Sequence, residues 1–186
     1  GFGLIAPELI LLFGGLIVFL LNVFEGEDEK GSGNGYVAIT VLWLLAALVA
    51  SFFQIKMVKD YFVANGTAQV AFTMMDVDAF AIFFKVTILV GMVLVAVAGG
   101  TYMNRRTEHK GEFWSMFLFV TLAMSIAASA NNMVLLYIAI EFLSITSYIL
   151  AGFLRDDPRS AEAGLKYFLF GSVSSAVMLY GISLLY

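Results

Sequence analysis

The chain has 186 residues, of which 61% are hydrophobic and 13% charged, against roughly 45–50% and about 25% in an average soluble domain. That composition excludes a soluble monomer. It also excludes a disordered or collagen-like polymer, because apolar residues dominate and the 17 glycines keep no three-residue period. With no cysteine, a single histidine (His109) and a net charge of −4, the chain offers no disulfide framework, no thiol nucleophile, no self-contained metal site and no basic surface for nucleic acid. What remains is an integral membrane protein with the lipid bilayer as its first partner.

A bilayer core of roughly 30 Å takes about 20 mostly apolar residues in a helix. By that measure six segments span: Leu4–Phe24, Tyr36–Ile55, Ala79–Met103, Phe113–Ala130, Met133–Leu154 and Ala161–Tyr186. Lipid-facing backbone must satisfy its own hydrogen bonds, and the runs lack the period-two pattern of a barrel. The expected fold is therefore an all-α polytopic transmembrane bundle, with residues 1–112 forming a three-helix N-terminal portion and residues 113–186 a second set of three.

Pro7-Glu8 suits the opening turn of the first helix, with the carboxylate at the positive end of the helix dipole. The acidic, glycine-rich stretch from Glu25 to Gly35 reads as a solvated loop, residues 56–78 as a longer mixed connection, and residues 104–112 as a polar turn. Asn131-Asn132 alone separates the fourth and fifth segments. Asparagine tolerates the left-handed conformation that ends one helix and caps the next, so a tight hairpin is expected there. Asp157-Pro158 carries the N-cap and first-residue chemistry of a helix start.

Lysine and arginine counts orient the chain. One side holds Lys30, Arg105, Arg106, Lys110, Arg155 and Arg159, the other Lys56 and Lys59. The richer side is assigned to the cytoplasm and the N-terminus to the outside. No cleavable signal peptide is read, since the first segment is too long and no basic region precedes it. An initial glycine and an end inside an apolar run lead to the expectation that these residues are a piece of a longer subunit.

Charges within spans are costly and point to function. Three stand out: Glu141, Lys166 and Lys85. Glu141 lies near the centre of the fifth segment, too deep for its short side chain to reach headgroups. Tyr137, Glu141, Ser144 and Tyr148 recur at steps of four, three and four, which makes one polar stripe on an apolar helix. Burial in hydrocarbon and a nearby cation act in opposite senses on a carboxyl's proton affinity, so a neighbour's charge can switch its occupancy. The competing reading is a structural carboxylate bonded to adjacent helices.

Lys166 sits about two turns into the sixth helix with Glu162 four residues earlier, where snorkelling and an intrahelical ion pair explain it as well as function does. Lys85 lies in the outer third of the third segment, with Asp78 and solvent in reach, and reads first as an anchor. Small residues (Gly14-Gly15, Gly91, Gly99-Gly100, Gly171, Ser175, Ser125, Ala128 and Ser129) are read as sites of close helix packing. No serine nucleophile is assigned, because the lone histidine is in a loop.

The string Asn131-Asn-Met-Val-Leu-Leu-Tyr-Ile-Ala-Ile-Glu-Phe-Leu-Ser-Ile-Thr-Ser-Tyr-Ile-Leu-Ala-Gly-Phe153, followed by Glu162-Ala-Gly-Leu-Lys-Tyr-Phe-Leu-Phe-Gly171 and Leu179-Tyr-Gly181, resembles the N subunit of proton-pumping NADH:quinone oxidoreductase, respiratory complex I. That family is one of the antiporter-like membrane subunits. The likeness is most specific from about Phe113 to Tyr186, with weaker echoes in Ala6-Pro-Glu8 and Asp78–Lys85. It implies that Glu141 matches the intramembrane glutamate of the family's fifth core helix and Lys166 the lysine of the sixth. Both belong to a chain of protonatable groups. The likeness also implies that the family's partner lysine on a broken seventh helix, and its second inverted repeat, would lie beyond Tyr186.

The resemblance further implies sister antiporter-like subunits and other complex I membrane subunits as partners, and a bacterial cytoplasmic membrane as location. NADH, flavin, iron–sulfur clusters and quinone would be handled in other subunits, with no cofactor in this chain. Segment limits put Glu141 and Lys166 roughly 10–12 Å apart in depth, so a water bridge is expected rather than contact. Two rival classes stay open. One is a subunit of a multisubunit cation/proton antiporter or related membrane-bound oxidoreductase, and the other a non-conducting membrane scaffold.

Overall fold

The computed structural model describes residues 2–24, 33–65, 69–71 and 74–185. A 3-10 turn, Phe2–Ile5, leads into helix α1, Ala6–Phe24. Helix α2 is Gly33–Asn65, and a two-stranded antiparallel hairpin follows, β1 Gln69–Ala71 and β2 Met75–Val77. Four further helices complete the chain: α3 Ala79–Arg106, α4 Lys110–Ser129, α5 Met133–Ala151 and α6 Pro158–Ser183. The six long helices are each apolar and long enough to cross a bilayer, and the fold is the expected all-α transmembrane bundle.

Asn132 and Asp157, expected as caps, do cap, and so does Asp78, expected only as a neighbour of Lys85. Asn132 accepts from the Leu135 N–H at 2.7 Å and starts α5. Asp157 accepts from the Arg159 N–H at 3.0 Å, with Pro158 as the first helical residue of α6. Asp78 accepts from the Ala81 N–H at 2.7 Å and starts α3. Each supplies an acceptor to a first-turn N–H that no helical carbonyl can reach.

Two connections differ from expectation. Helix α2 runs ten residues past Ile55, because a hydropathy measure stops at the first lysine while a helix does not need apolar residues to continue. Its 33 residues extend about 50 Å, well beyond the hydrocarbon thickness. The rest of the 56–78 connection includes the β-hairpin, in register Gln69↔Val77, Val70↔Asp76 and Ala71↔Met75. Asn131 anchors it: its N–H donates to the Met74 carbonyl at 3.0 Å and its side-chain amide to Asp76 at 3.2 Å. The α4–α5 turn thus holds β2 as well as capping α5. Ala130, at the end of α4, is extended. Residues 25–32, which hold most of the acidic glycine-rich loop and Lys30, lie outside the described residues, while Gly33-Asn34-Gly35 open α2.

Helices α1 to α4 pack around one core, and α5 and α6 form a hairpin whose α5 leans on α4. The core comprises Leu11, Val18, Leu44, Leu89, Trp114 and Leu118 with their neighbours. Because α1 packs on α4, residues 1–112 and 113–186 share this core. A second cluster of Leu4, Val58, Met75, Val77 and Ile82 seals the end nearest the hairpin.

Only some small residues serve close packing. A Cβ on Gly164 would stand 2.7 Å from the Gly152 Cα, so α5 and α6 touch backbone to backbone there, and a Cβ on Gly171 would overlap the Tyr148 hydroxyl. Gly91 and Gly99 face no described atom within 4 Å, so these two do not mediate a described helix contact.

Candidate functional site

Glu141 stands in the middle of the 19-residue α5, and one carboxylate oxygen, Oε1, is buried with no hydrogen-bond partner among the described residues. Tyr137, one turn earlier, is its electrostatic neighbour. Ser144 and Tyr148 continue the same half-buried face. Two residues advance a helix by about 200°, so this face is opposite the buried Ala139 and Thr146. Tyr148 turns it toward α6: its ring meets Tyr167 edge-on at 4.7 Å and Phe168 at 5.9 Å. The stripe therefore runs from an aromatic joint at Tyr148 to the carboxylate two turns away.

Lys166 is on the other side of α6. The contacts of Gly164 and Gly171 with α5 put Lys166 roughly opposite that interface. Its ammonium pairs with Glu162, one turn earlier, and both side chains are exposed. The described helices thus do not bring Glu141 and Lys166 together. In the α5–α6 register Lys166 is level with the end of α5, about 14 Å along the axis from Glu141.

Lys85 departs most from expectation. It is fully buried, with Nζ 2.6 Å from Oε1 of Glu8 and side-chain exposures of 0% and 7%. Ser125 donates to the same oxygen at 2.8 Å. Asp78, the partner expected for Lys85, is occupied as the cap of α3. The reason is helical phase. Ala81, Lys85 and Leu89 repeat every four residues, and all three belong to the buried face of α3. Glu8 sits in the first turn of α1 as the Pro7-Glu8 reading required, yet it is also buried there. The signal available in the sequence was this phase together with a second span charge of opposite sign, since buried charges pair.

The chain has no cysteine, and no group of three His, Cys, Asp or Glu side chains converges among the described residues. Carboxylates, ammonium groups and hydroxyls inside spanning helices can bind, release and relay protons.

Residues 130–186 match the family described as NADH:quinone oxidoreductase/Mrp antiporter, TM. The chain is 35% identical over 185 residues to NADH-quinone oxidoreductase subunit N of Heliobacterium modesticaldum, covering 100% of this chain and 37% of that relative. It is 37% identical over 183 residues to subunit N of Sphingopyxis alaskensis, covering 98% and 36% respectively. It is 36% identical over 184 residues to F(420)H(2) dehydrogenase subunit N of Methanosarcina mazei, again covering 98% and 36%. Among solved structures, respiratory complex I from Thermus thermophilus with bound Aureothin aligns at TM-score 0.72 and 26% identity, over 97% of this chain and 36% of that one. The chain spans little more than a third of the length of these relatives. Across that span it is homologous to subunit N of NADH-quinone oxidoreductases, and residues 130–186 belong to the transmembrane family those enzymes share with Mrp antiporters.

Proposed function

We propose that the chain forms part of the proton-translocating membrane arm of an NADH:quinone oxidoreductase, where Glu141 and Lys166 bind protons and pass them on during quinone reduction. The observation that carries this reading is the placement of Glu141. An acid lies midway along an apolar spanning helix with one oxygen removed from water and left without a hydrogen bond among the described residues. Such a group is costly unless its charge changes in use.

The mechanism is electrostatic. A change of charge at a neighbouring site alters the proton occupancy of Glu141, with the Tyr137 hydroxyl beside it and Ser144 and Tyr148 along the same face. Lys166 is the next acceptor in the relay, reached through water rather than by contact. Its present pairing with Glu162 is the state from which a proton or a rotamer change releases it. Redox groups belong to other subunits, and sister antiporter-like subunits lie beside this one in the membrane. A relative named for F(420)H(2) oxidation supports an electron donor set by those other subunits.

The exposed Arg105, Arg106, Arg155 and Arg159 gather at the α3–α4 and α5–α6 turns, while Lys56 and Lys59 lie at the other end of the bundle. By the positive-inside rule the arginine-bearing turns face the cytoplasm of a bacterial cell and the N-terminus faces outside. The test is E141Q in the complete complex. It should lower the protons moved per electron while the complex still assembles, and unchanged stoichiometry with unchanged turnover would refute the role.

A further inference from the structure

The α3–α4 and α5–α6 turns meet at one end of the bundle and enclose a cleft of about 900 Å³. Arg105, Arg106, Lys110 and Arg155 line it, four cations that the relay proposed for Glu141 and Lys166 does not use. Arg105 and Arg155 are exposed, and neither has a salt-bridge partner among the described residues. The Arg106 guanidinium lies 5.3 Å from the centre of the Tyr102 ring, an aromatic contact that does not occupy its N–H donors. Three acids, Glu108, Asp156 and Asp157, line the cleft as well. Asp157 is committed to the start of α6, where its carboxylate accepts from the Arg159 N–H at 3.0 Å and its charge faces the positive end of that helix dipole. The cations therefore prevail in the cleft.

A second cleft continues from the first along the helices. It holds about 540 Å³ between α1, α4, α5 and α6, and it shares Phe153 and Arg155 with the basic cleft. Its walls are apolar, with Phe19, Met116, Ile149, Leu165 and Phe168 among them. Gly152 and Gly164 line it where α5 and α6 touch backbone to backbone, so no side chain fills that part of the groove. Glu112, near the mouth, has Nδ1 of His109 at 3.5 Å. Phe168 stands ten residues past Pro158, so the groove descends about 15 Å from the turn. That depth is half of a roughly 30 Å hydrocarbon core, or one leaflet.

We infer that the two clefts form one seat for an anionic phospholipid in the leaflet at the arginine-bearing end. Its phosphate lies among Arg105, Arg106, Lys110 and Arg155, and one acyl chain lies in the groove between Phe19, Ile149, Leu165 and Phe168. Guanidinium forks donate paired hydrogen bonds to phosphate oxygens, and basic pockets between spanning helices take anionic headgroups. The groove is what selects a lipid over a soluble anion, because a free phosphate has no apolar part to fill it. Charge selects the headgroup, because a zwitterionic lipid brings a cation of its own into a cleft where cations already prevail. Within the chain the Phe113–Phe153 ring contact at 5.3 Å joins α4 to the α5–α6 turn, and the lipid adds a charged tie between the two turns. This seat depends on membrane insertion and not on the proposed relay.

The experiment is photolabelling of the complete complex in phosphatidylcholine vesicles that carry a trace of phosphatidylglycerol with a diazirine on one acyl chain. Labelled peptides are identified by mass spectrometry, and the reference is the same probe with a choline headgroup. The glycerol probe should label Met116, Ile149 or Leu165 several-fold more than the choline probe does, while other lipid-facing positions of the chain take both alike. Unlabelled phosphatidylglycerol should compete for the groove, and inorganic phosphate should not. R105Q/R155Q should weaken that competition about 30-fold, at about fivefold for each charge near the membrane surface. If the double variant fails to assemble, R155Q alone should show the fivefold step. Equal labelling of the groove by the two probes, or unchanged competition in an assembled variant, would overturn the inference and leave an ordinary lipid-facing surface. Competition by inorganic phosphate would overturn it too, in favour of a site for a soluble anion.

Discussion

Replacing Lys85 with methionine tests whether charge holds α1 against α3. The substitution keeps the length and apolar stem of the side chain but removes the cation 2.6 Å from Glu8, in a place where the two side chains are 0% and 7% exposed. Glu8 then keeps only the Ser125 hydroxyl on Oε1. Leaving one member of a buried pair without its partner costs about 3–5 kcal/mol, or roughly 10²-fold or more in an equilibrium constant. E8Q/K85M removes both charges, and neutral replacement of a buried pair is commonly near neutral or stabilising. The double variant is therefore expected to be more stable than K85M alone, a non-additivity that a double-mutant cycle reads directly. The assay is the abundance of assembled complex in membranes, with its half-life at one elevated temperature. Single and double variants of equal stability would refute the reasoning, since the pair would then contribute no tie. E162Q serves as an internal comparison. The pair it breaks joins two exposed side chains one turn apart, a class worth about 0.3–0.5 kcal/mol, so it should leave both readouts unchanged.

Other expectations follow from the same geometry. G164A should loosen the α5–α6 hairpin by about 1–3 kcal/mol through overpacking, and no side-chain change should rescue it, because the added Cβ meets backbone. G171A should be partly rescued by Y148A and not by Y148F, because the obstruction there is the Tyr148 side chain, its hydroxyl and two ring carbons all within 2.7 Å; thermal inactivation of these variants tests the contrast. N132A should cost about 1 kcal/mol through loss of the cap on Leu135, seen as a modestly shortened half-life with pumping per electron intact. K166A should leave assembly unchanged, since Lys166 lies off the α5 interface, while lowering proton transfer. A loss of assembly equal to the loss of pumping would mark it as structural.

The span count, the helical class, the caps at Asn132 and Asp157 and the depth of Glu141 were legible in the sequence. Each depends on local properties: apolar length against bilayer thickness, a short polar acceptor at a helix start, or a residue's place along one helix. The extension of α2 was not legible, because hydropathy measures lipid preference and not helix formation. The hairpin was missed for a related reason. Its short strands are secured by Asn131, from a turn far along the chain.

The charges divide in the same way. Sequence alone was enough to mark Glu141, Lys166 and Lys85 as ionisable groups within spans, since composition and position determine that. Only the tertiary structure decided which of them meet. It set Lys166 on a face away from α5, and it joined Lys85 to Glu8 and Ser125 from three separate helices. Helical phase tells which side of its own helix a residue occupies, but the neighbour on that side depends on how the helices assemble, and the cost of burying a lone charge is what selects an assembly that pairs it.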